Sequence, residues 1–223
     1  NNLLECYEKG KEMIGWGNRP SKPGSLKEGE WNIGYGMAVG VFGAGRGAAT
    51  VKATLDTEGV LVLECGVSDM GPGTATSMVA IVADNLLWPK EKIRFEMGDS
   101  SLPPGPMQGG SGTTSTLGSA VLKVCETLSK EMKTIAQEKI AAFKDVPLED
   151  IVLDSGYLFP KSNEQGKIAA GEIVRASGKS KMEWKESSQR LIPEQFKLAA
   201  HSFSVHFTRL KVHQRTGEIK LMH

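Results

Sequence analysis

Two glycine-rich stretches carry the residue types that could do chemistry: Gly66-Val-Ser-Asp-Met-Gly-Pro-Gly-Thr74 and Pro104-Gly-Pro-Met-Gln-Gly-Gly-Ser-Gly-Thr-Thr-Ser115. Each follows a strand-like run and leads into a helix-like one. A helix start leaves backbone N–H groups without intrahelical partners, and the helix dipole favours negative charge there. Two such starts in one domain imply a ligand with more than one anionic handle.

The two loops differ in what simple structure would require of them. In the first, Gly71-Pro-Gly73 is compatible with an ordinary turn and Thr74 with an N-cap. Pro72 removes one donor that an anion would use, so the local pattern alone favours a turn. In the second, Pro103-Pro-Gly-Pro106 is stiff, Gly109-Gly110 is flexible, and Ser111, Thr113, Thr114 and Ser115 bring four hydroxyls to the helix entrance. One hydroxyl caps a helix; the surplus, in a long loop inside a compact domain, favours binding. Asp69 and Asp99 stand beside the loops. Each could orient a ligand or brace its own turn.

Other motifs are poorer. Gly43-Ala-Gly-Arg-Gly47 lacks the third glycine of a dinucleotide fingerprint, because Ala48 stands there, and it reads as a bulged strand end. The chain contains neither a Walker A sequence nor a Gly-x-Ser-x-Gly elbow. His201 and His206 fall five apart on one strand pattern, hence on opposite faces, and His213 and His223 are isolated, which argues against a metal site. Cys6, Cys65 and Cys125 are odd in number and widely spaced, as expected of reduced, buried thiols in a cytoplasmic protein.

Positioning these loops requires a scaffold that the periodicities supply. Leu3–Trp16 reads as a helix, and Gly17–Glu30 as a loop. Alternation makes Trp31–Val41 a strand, and Ala49–Asp56 and Val60–Val67 form a hairpin about Thr57-Glu-Gly59. Helices are expected over Thr74–Leu87 and from Thr113 onward, where Leu117, Val121, Val124, Leu128, Met132 and Ile135 keep a three-to-four spacing. Lys92–Met97 is a short strand between them. Beyond Pro147, Ile151–Leu153 and Tyr157–Phe159 are short strands and Ala170–Ala176 a short helix. Lys179–Lys185 reads as a solvated charged loop, and Ser202–Val212 turns at Thr216-Gly217 into a final strand. The expected fold is α+β, with antiparallel or mixed sheets packed against helices.

Composition is that of an ordinary globular protein, 39% hydrophobic and 24% charged. A net charge of +1 gives no reason to expect nucleic acid or a membrane surface as partner. The apolar runs are too short to cross a bilayer. The N-terminus reads as a polar-faced helix, not a signal peptide. With no initiator Met and a strand running to the last residues, the chain reads as a piece of a larger protein.

Taken together and in order, Gly34-Tyr-Gly-Met-Ala38, Phe42-Gly-Ala-Gly-Arg46, Val67–Thr74, Gly98-Asp-Ser-Ser-Leu-Pro-Pro-Gly-Pro106 and Gly109–Ser115 closely resemble the molybdopterin-binding region of the xanthine dehydrogenase/aldehyde oxidase family. The start around Glu5-Cys6 to Gly15-Trp16 and the hairpin Phe203–Leu221 also resemble segments of that family. The resemblance implies part of a molybdenum hydroxylase, an oxidoreductase that oxidises an aldehyde or N-heterocycle with oxygen from water. It implies the molybdopterin cofactor, in its own or a dinucleotide form, with iron–sulfur clusters and FAD on other domains or subunits. The implied partners are the rest of the molybdenum subunit, those redox partners and a small-molecule substrate.

Carried over by position, Met70, Gly71, Pro72, Gly73 and Thr74 of the first loop, and Gly110, Ser111, Gly112, Thr113, Thr114 and Ser115 of the second, would hold the cofactor. Pro72 stands where the family often has a Gln that reaches the metal's ligand sphere. The family's Gly-Gly-x-Phe-Gly loop and late Gly-x-Gly-Glu base segment are absent, and Glu218, in a hairpin turn, is not that base. The chain is therefore expected to supply cofactor-holding residues, with no catalytic and no metal-ligating residue of its own, and to be inactive alone. The expected divisions are 1–30, a helix and linker; 31–146, the cofactor-binding subdomain; and 147–223, a second, smaller α+β subdomain. The alternative is a scaffold or binding module that kept this fold and lost the cofactor.

Overall fold

A computed structural model describes residues 2–43, 45–191 and 201–222. In chain order the elements are α1 (Asn2–Ile14), β1 (Lys27–Glu28), β2 (Trp31–Gly43), β3 (Ala49–Asp56), β4 (Leu61–Glu64), α2 (Thr74–Leu86), β5 (Ile93–Glu96) and α3 (Thr113–Lys139). They continue with β6 (Ile151–Asp154), β7 (Tyr157–Pro160), β8 (Ile168–Ala169), α4 (Ala170–Ala176), β9 (Lys181–Ser188), β10 (His201–His213) and β11 (Ile219–Leu221). The α+β class expected from the periodicities is the class observed.

The chain forms two compact units, one of residues 1–44 with 193–223 and one of residues 45–192. They do not follow the divisions expected near residues 30 and 146. The long alternating strand β2 pairs in antiparallel register with β10, from Trp31↔His213 to Gly43↔His201, and so groups with the C-terminal hairpin. A sheet in the order β1-β2-β10-β11 results. α1 packs on β10: the Trp16 and Phe207 rings meet edge-on at 5.2 Å, and a side chain at Gly10 would collide with the Phe207 ring. Further along the same face of β2, Met37, Val39 and Val41 stay exposed. Ile33 is the only buried hydrophobic residue of this unit among the described residues.

The larger unit is built on a sheet in the order β5-β4-β3-β9. β3 alternates strictly, with Ala49, Val51, Ala53 and Leu55 buried and the residues between them half-exposed. That is the signature of a sheet with one face on the core. Leu61 and Leu63 of β4 extend the same face. Onto it pack α2, through Met78, Val82 and Leu86, and α3, through a stripe from Leu117 to Met132. Burying each such large side chain contributes roughly 1.5–3 kcal/mol. The two helices approach closely at Gly118, where a Cβ would lie 3.0 Å from Ile81 Cδ1. A small sheet, β6-β7-β8, leads into α4.

One expectation is corrected here. Lys179–Lys185, read as a solvated loop, is largely strand: β9 pairs with β3 along its whole length, from Ala49↔Ser188 to Asp56↔Lys181. The charges occupy only alternate positions. Met182, Trp184 and Ser188 point inward and are buried, and the Trp184 indole N–H donates to Glu131 Oε2 at 2.6 Å. On the outer face Lys52 sits between Glu64, at 2.9 Å, and Glu183, at 3.6 Å.

The topology of this sheet places the loops. β4 and β5 are parallel, from Leu61↔Ile93 to Glu64↔Glu96, with α2 as their crossover. Their carboxyl ends therefore lie side by side, and the loop after each emerges at the same end of the sheet, the usual location for ligands in such units. β3 runs antiparallel to β4 and begins at that end, where β9 finishes. Four chain segments converge there.

Candidate functional site: two clefts at one end of the sheet

The first loop closes on itself. Asp69 Oδ1 accepts from the Gly71 N–H at 2.8 Å and Oδ2 from the Thr74 N–H at 3.1 Å. Gly73, at φ +76°, occupies the cap position of α2, so Thr74 is the first helical residue and not the N-cap. The Asp69 carboxylate thus takes one N–H of this helix start, that of Thr74; those of Ala75 and Thr76 have no partner among the described residues. Asp99 likewise braces its own turn. Its carboxylate accepts from the Ser101 N–H at 2.8 Å, and that bond holds the carboxyl below the usual range.

The second loop stays open. Gly112 precedes α3 with no side-chain cap. The first helical bond runs from the Thr116 N–H to the Gly112 carbonyl at 3.1 Å. The N–H groups of Thr113, Thr114 and Ser115 have no partner among the described residues. Of the four hydroxyls, Ser115 turns back to the Gly112 carbonyl at 3.0 Å. Those of Ser111, Thr113 and Thr114 have no protein partner among the described residues. Ser111 itself adopts φ +56°, a left-handed conformation that costs a non-glycine residue about 1–2 kcal/mol.

The loops are fastened together beneath this opening. The Gly66 N–H donates to the Pro103 carbonyl at 2.6 Å and the Gly98 N–H to the Val67 carbonyl at 2.7 Å. Gly105 lies against Gly66, whose carbonyl oxygen would be 2.9 Å from a Cβ at 105. Above them Gln108 clamps Ser68: its Oε1 accepts from the Ser68 N–H at 2.9 Å and from the Ser68 hydroxyl at 2.5 Å, and its Nε2 donates to the Ser68 carbonyl.

Two clefts flank the Gly109-Gly110 turn. The first, of about 530 Å³, lies between Met70, Pro72 and Thr74 on one side and Ser111, Thr113 and Thr114 on the other, and no lining side chain is charged. The second, of about 480 Å³, is lined by Arg46, Gly47, Pro106, Gly112, Thr116 and Arg190 among others. Of the residues singled out from sequence, Met70, Pro72, Thr74, Gly110, Ser111, Thr113 and Thr114 line the first cleft and Gly112 the second. Gly71, Gly73 and Ser115 line neither and serve the turn and helix geometry.

Sequence reasoning missed Gln108, Arg46 and Arg190. Within Gly43–Gly47, read as a bulged strand end, Gly43 does end β2, whereas Arg46 and Gly47 fasten onto α3. The Gly47 N–H donates to the buried Thr116 hydroxyl at 2.9 Å and Arg46 Nη1 to the Ser119 hydroxyl at 2.7 Å. The available signal was an arginine between two glycines just ahead of β3, which starts at the loop end of the sheet. The buried cysteines take no part: desolvation pushes the Cys65 thiol up to about 11 and the Cys125 thiol up to about 12. Among the described residues there is no cluster of potential metal ligands and no helix long and apolar enough to cross a membrane.

The chain has relatives among known proteins. Residues 9–223 match the family model described as the molybdopterin cofactor-binding domain. The aldehyde oxidoreductase molybdenum-binding subunit PaoC of Escherichia coli O157:H7 is 25% identical over 221 residues, covering 98% of this chain and 28% of that protein. Aldehyde oxidase 1 of Bos taurus is 34% identical over 102 residues, 45% of this chain and 8% of the relative. Among solved structures, quinoline 2-oxidoreductase from Pseudomonas putida 86 superposes with a TM-score of 0.68 at 14% identity, over 98% of this chain and 29% of its own. Reconstituted CO dehydrogenase from Oligotropha carboxidovorans gives 0.64 at 18% identity, over 99% of this chain and 27% of its own; at these identities the likeness is one of fold. The chain thus spans 28% of the length of PaoC, and it belongs to the molybdopterin cofactor-binding domain family.

Proposed function

We propose that this chain is the cofactor-holding part of a molybdenum hydroxylase of the xanthine dehydrogenase/aldehyde oxidase type. The observation that carries the reading is the uncapped start of α3, with three N–H groups and three hydroxyls free above a neutral cleft. The residues present fit a pterin-type cofactor. Ser111, Thr113 and Thr114 offer donors and acceptors to its polar edge, the Gly109-Gly110 turn lets it approach the backbone, and Met70 and Pro72 supply an apolar rim. When bound, the cofactor supplies two-electron oxidation with oxygen from water.

This chain's own residues bind and orient. Gln108 holds the first loop against the second, so the cleft is formed before any ligand arrives. Asp69 keeps the first loop in its turn. The lining of the neutral cleft includes no titratable side chain, so we assign proton abstraction to other parts of the molybdenum subunit. The substrate, an aldehyde or N-heterocycle, and the iron–sulfur and FAD partners belong to the same proposal, as does a cytoplasmic location.

Molybdenum and released pterin, measured on the protein purified from a host that makes the cofactor, test this reading. The expected result is about one equivalent of each per chain. Their absence from folded protein would favour a scaffold that kept the fold and lost the cofactor, the reading to which Pro72 lends weight.

A further inference from the structure

Strand β2 carries an open edge that holding a cofactor does not account for. The Ile33 N–H donates to the Leu26 carbonyl at 2.9 Å, so Ile33 turns its peptide groups toward β1. Peptide groups alternate in direction along a strand, and those of Tyr35, Met37, Val39, Val41 and Gly43 therefore point the same way. β1 reaches only Trp31 and Asn32. β10 lies on the other side of β2 along its whole length. The N–H and C=O groups of those five residues consequently have no hydrogen-bond partner among the described residues. Residues 35–43 contain no charge and no proline, the devices by which sheets protect an edge that faces water. Met37, Val39, Val41 and Phe42 are all exposed.

This edge is complementary to itself. Antiparallel pairing about a two-fold axis at Val39 sets Val39 opposite Val39 of a second copy, Met37 opposite Val41 and Tyr35 opposite Gly43. Every open peptide group is then used, in about ten interchain hydrogen bonds, the number a typical stable interface carries. On one face of the joined sheet valine meets valine and methionine meets valine. On the other, Phe42 lies across Gly36 of the second copy, an aromatic ring covering bare backbone. The two-fold axis closes the assembly at two chains. Pairing β2 instead with the part of β10 that β11 leaves uncovered would be head-to-tail and would give rings or filaments.

We propose that two copies of this chain associate by adding β2 of one to β2 of the other along residues 35–43, making one sheet continuous across both. The dimer involves the smaller unit alone and does not rest on the cofactor reading.

Sedimentation velocity over a concentration series of the 223-residue chain, with hydrogen exchange followed in peptides covering residues 35–43, tests it. The expected result is a reversible monomer–dimer equilibrium in which these amides exchange more slowly as the dimer fills. Val39→Lys, at an exposed position, sets like charges opposite one another at the axis and should raise the dimer Kd by about tenfold or more. Val39→Pro removes only an N–H that faces the open edge, where a strand tolerates proline. It should weaken the dimer comparably with the far-UV circular dichroism unchanged. The control Ile219→Lys alters an exposed residue on β11, at the far edge of the same sheet, and should leave the dimer intact. A monomer at every concentration would overturn the proposal, and slow exchange of residues 35–43 in that monomer would show that another segment of the chain covers the edge. A dimer equally tight in Val39→Lys and the parent, or growth into larger assemblies, would also overturn it.

Discussion

The two glycine loops look alike in sequence and behave oppositely. The first carries its own anion, because Asp69 accepts from Gly71 and from Thr74, the first residue of α2. The second has no such side chain, and α3 begins with free N–H groups and free hydroxyls. One aspartate separates a structural turn from an open cradle, and the open one lies beside the arginine cleft, lined by Arg46 and Arg190.

Substitutions at the seam between the loops should break this comparison most severely. Gly105→Val would drive a branched side chain into the Gly66 carbonyl and Val67. A cost of about 1–3 kcal/mol or more is expected, read as a lowered denaturation midpoint, with both clefts lost. An unchanged midpoint would show that the loops are not fastened there. Next, Thr113→Trp should fill the neutral cleft and empty the protein of molybdenum and pterin while the thermal midpoint stays near the parent's. Asp69→Ala should do the reverse. It removes the cap of α2 and costs about 1 kcal/mol, seen in chemical denaturation, with the cofactor retained. Ser111→Gly should stabilise the chain by up to about 1 kcal/mol by relieving its positive φ; a loss of stability would mean that the hydroxyl has a structural partner.

The smallest effect concerns the thiols. Burial raises both Cys65 and Cys125 from an ordinary 9.0, to about 11 and about 12. The folded state keeps these protons longer than the unfolded chain. Their contribution to stability is therefore complete below pH 9 and is lost as pH rises through the folded values. Native protein should label at Cys6 well before either buried thiol when treated with a maleimide near neutral pH. Rapid labelling of Cys125 would place it outside the core.

Much of this was legible in the sequence because it is written in local periodicity. β2, β3, α2, α3 and the C-terminal hairpin announce themselves by alternation or by three-to-four spacing. β9 was hidden because the charged Lys181, Glu183 and Lys185 dominate its outward positions, and Met182 and Trp184 are the only apolar residues on its inward face. The hydroxyl surplus at α3 was readable, but the occupation of α2 by Asp69 was not, since an aspartate in a turn serves a ligand or its own backbone equally well. The arginine cleft joins residues over a hundred positions apart, Arg46 and Arg190, through a two-residue bridge. No local pattern encodes such a contact.

The central claim is that the open loop holds the cofactor and the capped loop does not need to. Molybdenum and pterin measured side by side in the parent protein, Thr113→Trp and Asp69→Ala, all purified from one cofactor-making host, test it directly. The account predicts near-full occupancy in the parent and in Asp69→Ala, and near-zero occupancy in folded Thr113→Trp. Full occupancy in Thr113→Trp, or loss confined to Asp69→Ala, would contradict it.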